Sequence, residues 1–122
     1  MRPNLILIFL SFITILSLTS CSYDKPEEIK PVVCDLTDLS YADDIAPILK
    51  DNCYECHGPD KMEAGIRLDS YNDVKTVVDF NLLLGVIRHD SGYPAMPDNR
   101  PKLDQCSIDK IASWIAQGTK DN

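Results

Sequence analysis

The apolar residues of this chain fall into two regimes. A continuous apolar run from Leu5 to Leu18 sits behind Arg2, whereas beyond residue 39 apolar residues recur at three- and four-residue intervals. A basic residue ahead of a short apolar run is the layout of an export signal, and the run is too short and wrongly flanked for an ordinary membrane span. Between the two regimes, from Ser22 to about Asp38, the chain is polar, with Pro26, Pro31 and the charges Asp24, Lys25, Glu27, Glu28 and Lys30. Such a segment reads as a tether. The expected organisation is therefore a signal peptide over 1–20, a tether over 21–38 and one small domain over 39–122, with a limited core of its own.

Within the domain the periodicity predicts four helices and no strand of useful length, hence an all-α fold. Asp43 or Asp44 is placed to cap a helix with Pro47 in its first turn and Ile45, Ile48 and Leu49 on one face. Ser70-Tyr71-Asn72-Asp73 resembles a capping box ahead of Val74, Val77 and Val78. A short third helix holds Leu82, Leu83, Val86 and Ile87 despite Gly85. The last is the clearest: Leu103 staples onto Ile108 across a capping Asp104, Ile108, Ile111, Ala112 and Ile115 form a stripe with Trp114 beside it, and Gly118 closes the helix.

The first helix leads directly into Cys53-Tyr54-Glu55-Cys56-His57. This spacing reads as covalent attachment of c-type haem: each thiol reaches one vinyl group of the porphyrin, and the adjacent His57 offers a ring nitrogen to the iron. Two other chemistries use the same residue types. A redox dithiol normally opens a helix within a βαβ pattern, which is missing around Cys53. A zinc site would combine Cys53, Cys56 and His57 with a distant Cys106 or His89, although zinc sites usually draw on two close pairs.

Between the third and fourth helices, Asp90 to Pro101 contains three prolines, which exclude regular structure and lower the entropy of ordering a loop. Met96, between Pro94 and Pro97, brings a thioether, a soft ligand suited to haem iron opposite a histidine. His89 is the rival iron ligand and would give bis-His ligation, but it sits beside Asp90 at a helix end, where a surface histidine is ordinary.

The cysteines are five in number. Leu18-Thr19-Ser20-Cys21 resembles a bacterial lipobox, so Cys21 is expected to carry lipid, the alternative being a plain signal peptide cleaved nearby. With Cys53 and Cys56 assigned to haem, Cys34 and Cys106 remain, and parity fits a disulfide in an exported protein, free thiols being the alternative. The formal charge is −7, and loss of the signal removes one further positive charge. Scattered carboxylates of this kind argue against nucleic acid and favour partners with a basic docking face.

Three separated segments carry a family resemblance. Ile45 to Leu49 running through Cys53 to Gly58, the Met96-Pro97 step, and Ile111 to Gly118 resemble a class I bacterial cytochrome c domain. Cys56-His57-Gly58-Pro59-Asp60-Lys61 followed by Gly65-Ile66-Arg67-Leu68-Asp69-Ser70 is similar to the planctomycete-type subfamily. The resemblance implies a small fold whose first and last helices cross around one haem c. It implies thioether bonds to Cys53 and Cys56, His57 as proximal ligand and Met96 as distal ligand. Cys34 and Cys106 lie outside the family's basic pattern.

The expected function is one-electron transfer by a mono-haem carrier, not catalysis, on the exported side of a bacterial membrane, periplasmic or at the cell surface. The expected partners are redox proteins, a membrane oxidase or dehydrogenase, and the membrane itself through the lipid anchor. Arg67 and Arg100 are the candidate contacts to haem propionates. The rival from another class is a haem sensor or peroxidase-like module, which needs an iron position open to a small ligand.

Overall fold

Ser40 starts the helical domain: its Oγ accepts the Asp43 N–H, and its own N–H donates to Asp44 Oδ2 at 3.0 Å. The cap therefore falls three residues before the expected Asp43, or four before Asp44. Both kinds of residue are good caps, and the difference arises because the chain begins with a π-helical turn, Tyr41–Ile45, that passes into helix α1, Ala46–Asn52, with Pro47 at its start. The structure, a computed structural model, describes residues 33–122. The expected signal peptide, the lipidation site Cys21 and most of the tether lie outside the described residues.

The remaining elements follow as α2, Tyr54–His57; a 3-10 turn, Glu63–Gly65; α3, Tyr71–Asp79; α4, Leu82–Arg88; and α5, Gln105–Ala116. Among the described residues there is no strand, as expected for an all-α chain. Ser70 caps α3 by accepting the Asp73 N–H, and Asp104 caps α5 by accepting the Ser107 N–H at 3.0 Å. Gly118, with φ of +100°, adopts the left-handed conformation that ends α5.

The buried faces follow the periodic stripes in part: Leu82 is exposed, and Ile48, Val77, Val78, Val86, Ala112 and Ile115 are only partly buried. Ile45 and Leu49 from the first helix, Val74 from α3, Leu83 and Ile87 from α4, and Ile108 and Ile111 from α5 form one core. Trp114, beside the Ile stripe on α5, is fully buried against the rings of Tyr41 and Tyr71, with Nε1–H donating to Lys120 O at 2.9 Å. That hydrogen bond lets an indole be buried at no polar cost. Lys110 reaches from α5 to Asp44 at 2.8 Å and ties the last helix to the π turn.

The end of the polar segment is already bound to the domain. Cys34 and Cys106 are joined by a disulfide with Cα atoms 5.6 Å apart. Leu36 O accepts from Ser113 Oγ and Gln117 Nε2, while Leu39 N–H donates to Gln117 Oε1. Residues 34–39 thus run along α5 and are fastened to it at both ends.

Two stability effects follow. The disulfide spans a sequence separation of 72 residues, and restricting a loop of that size in the unfolded chain is worth about 4 kcal/mol. Replacing both Cys34 and Cys106 by Ser is expected to lower the unfolding free energy by about that amount, read from denaturant midpoints. Separately, the hydrogen bonds from Lys110 and from the Ser40 N–H hold the Asp44 carboxyl below its usual range, and those from Ser107 do the same for Asp104. A carboxyl depressed in the folded state stabilises the fold above its unfolded pKa and loses that contribution as pH falls through the folded value. Stability is expected to hold from neutral pH to about pH 4 and to decline below it. In denaturant titrations the decline is shallower for Asp44→Asn.

Candidate functional site

Helix α1 delivers the chain into Cys53, whose N–H donates to Leu49 O at 2.8 Å; the single turn of α2 then closes as Cys56 and His57 N–H groups donate to Cys53 O at 3.1 and 2.8 Å. Residues three and four apart on a helix share a face, so this turn gathers Cys53, Cys56 and His57 on one side. Gly58 ends the turn in an extended conformation. A Cβ there would collide with the Tyr54 carbonyl oxygen, which is backbone and cannot move aside.

The segment after the 3-10 turn holds His57 in place. Leu68 N–H donates to His57 O at 2.8 Å, and His57 Nδ1 lies 3.1 Å from Ile66 O. A carbonyl oxygen only accepts, so Nδ1 carries the proton and donates it, and the neutral ring keeps its lone pair on Nε2. An imidazole oriented through one nitrogen with the other left as a base is a metal ligand prepared for use.

The two thiols are both free. Burial pushes the Cys53 thiol up to about 11, against a smaller opposing effect of the Arg100 charge. Dithiol redox sites need the opposite, a thiolate favoured near neutral pH. The zinc alternative also loses its footing, since Cys106 is bonded to Cys34 and, although Cys53, Cys56 and His57 face one cavity, among the described residues no three His, Cys, Asp or Glu side chains, these included, come close enough together to hold one metal ion.

Met96 is seated on the C-terminal end of α4. Its N–H donates to Val86 O at 3.0 Å, and its carbonyl oxygen accepts from His89 Nε2 at 3.0 Å. Upstream in the same loop, the Tyr93 ring lies directly over Gly85; a Cβ on that residue would stand 2.6 Å from three ring carbons. That contact explains a glycine in the middle of α4, where helix propensity alone disfavours it.

Cys53, Cys56, His57 and Met96 all line one cavity of about 730 Å³, whose other walls include Leu68, Val77, Leu83, Val86, Ile87 and Leu103. Its volume lies within the range of cofactor pockets. The lining suits a large flat apolar group, with two thiols for covalent attachment and one nitrogen and one sulfur donor for a central iron. The residues present therefore fit haem. Arg100 lines the cavity and pairs with Glu55 at 3.2 Å. Arg67 does not line it; its guanidinium makes a two-pronged bond to Asp69, at 2.9 and 2.6 Å. Nor does His89 line the cavity, its Nε2 being bonded to the Met96 carbonyl.

The groups that sequence reasoning missed are the carbonyls of Ile66 and Val86 and the Tyr93 ring over Gly85. Every residue owns a carbonyl, so no residue type marked the first two. Gly85 was a signal, being a poor helix former inside an otherwise apolar helix.

No curated protein and no solved structure matches the chain significantly. Residues 53–101 match the family model described as Planctomycete cytochrome C, a span that opens on Cys53 and takes in the Met96 loop while leaving α1 and α5 outside. Over residues 53–101 the chain is therefore similar to planctomycete cytochrome c, a family name that implies covalently bound haem c and electron transfer.

Proposed function

We propose that the chain is a membrane-tethered one-electron carrier that holds a single haem c through Cys53 and Cys56, with His57 and Met96 as axial ligands. The observation that carries this reading is the convergence of those four side chains on one apolar cavity, with His57 fixed so that Nε2 is its free nitrogen. When bound, the haem supplies an Fe(III)/Fe(II) couple, and His/Met ligation sets it higher than bis-His ligation would.

The protein's own contribution is to keep the site rigid and mostly apolar. Leu68 and Ile66 hold His57 from the backbone, and α4 holds Met96, so neither ligand need move when charge changes. The mostly apolar walls limit contact with water, and of the two arginines expected at the propionates, Arg100 is the one supported by its place on the cavity wall.

The partner reading rests on charge. Glu55, Glu63 and Asp98 stand on the cavity lining against one arginine, and the whole chain carries a net −7. A redox partner such as a membrane oxidase or dehydrogenase would then dock through a basic face, and its association should slow as salt is added. The anchor is Cys21, which places the carrier on the exported side of a bacterial membrane, periplasmic or at the cell surface.

Absorption spectroscopy of the purified protein tests the ligation. The reduced form is expected to show c-type bands and no change under carbon monoxide, and the oxidised form a weak sulfur-to-iron band at the red edge. Met96→Ala should abolish that red band and admit carbon monoxide while leaving the haem attached. An unchanged spectrum in Met96→Ala removes the ligand assignment, and carbon monoxide binding by the unaltered protein favours a sensor or peroxidase.

A further inference from the structure

Residue 96 itself is attached by its backbone to the C-terminal end of α4 at two points, and one of them uses a side chain. Val86 O, near the end of α4, accepts the Met96 N–H at 3.0 Å, and His89 Nε2 meets the Met96 carbonyl oxygen at 3.0 Å. The first bond fixes the peptide plane before residue 96 and the second the plane after it. Together they set the direction of the Met96 Cα–Cβ bond. The carbonyl can only accept, so the ring proton of His89 lies on Nε2 and the imidazole acts here as a donor.

His89 is placed for this by an unusual backbone. It caps the C-terminus of α4 with φ of +58° and ψ of +41°, the left-handed conformation that glycine adopts most readily. A glycine would satisfy the cap without strain, but it has no ring to reach the loop. The ring lies off the cavity wall and is exposed, so burial does not explain it. Among the described residues, the ring's hydrogen-bond partner is the Met96 carbonyl.

We infer that His89 is a positioning residue: by donating from Nε2 to the Met96 carbonyl it holds the thioether where an iron ligand is needed, without itself touching the cofactor. The inference rests on Met96 being the distal ligand, and the test separates the two. Imidazole added to the oxidised holoprotein competes with Met96 for the iron, and its apparent affinity is its intrinsic affinity multiplied by the fraction of molecules in which Met96 is displaced. Loss of one ordinary hydrogen bond should raise that fraction about fivefold.

His89→Gly is the informative variant, because it relieves the left-handed backbone while deleting the ring. Its thermal midpoint is expected to stay level or rise, while imidazole binds about fivefold more tightly than to the unaltered protein. His89→Gln, whose amide can donate over a similar reach, should return the affinity most of the way. Equal imidazole affinity in His89→Gly and the unaltered protein overturns the inference, as does a His89→Gln protein that stays as open as His89→Gly. An unaltered protein whose sulfur-to-iron band is missing, or survives in Met96→Ala, overturns the ligand reading first and this inference with it.

Discussion

A small domain that lines a wide apolar cavity cannot rely on core packing to position the walls of that cavity, because the side chains on the wall have atoms on one side only. Here the wall is held from behind, by hydrogen bonds to the backbone of the residues whose side chains point inward. His57 is fixed through Ile66 and Leu68, Cys53 through Leu49, and Met96 through Val86 and His89. Each anchor lies at a helix end or in the segment just beyond one, and Val86 O accepts from both the His89 and Met96 N–H groups. The site is thus built at the ends of short helices, and its geometry depends on where each helix stops.

The helix ends were legible to different degrees. Ser70, Asp104 and Gly118 declare their roles because a cap is a local matter: a short polar side chain or a glycine beside an apolar stripe is enough. Ser40 was harder, since Asp43 and Asp44 are equally good caps in isolation, and the choice fell to Ser40 only because a π turn precedes α1. Trp114 lies beside the Ile stripe as its position predicts, but its burial depends on Tyr41, Tyr71 and Lys120, which are scattered along the sequence.

The cavity shows the same division. Cys53, Cys56 and His57 announce themselves by spacing, and Met96 by the prolines around it, because these features are short-range. What holds them is long-range and mostly anonymous backbone. Gly85 makes sense only once the Tyr93 ring is seen above it, and His89, which looked like a competitor of Met96, is bonded to its carbonyl. Arg67 and Arg100 were indistinguishable as charges; a neighbouring Asp69 two residues away occupies one, and the other reaches the cavity wall.

The bond between Cys34 and Cys106 has a mechanical meaning. Any pull arriving along the chain from upstream of Val33 meets Cys34 first, and the covalent path from there leads through sulfur directly to the first turn of α5. The polypeptide between the two cysteines, which includes α1, the Cys53–His57 turn and the Met96 loop, forms a closed covalent ring outside that line of force. A tug on the upstream chain is therefore borne by the longest described helix, while the residues that line the cavity carry no tension.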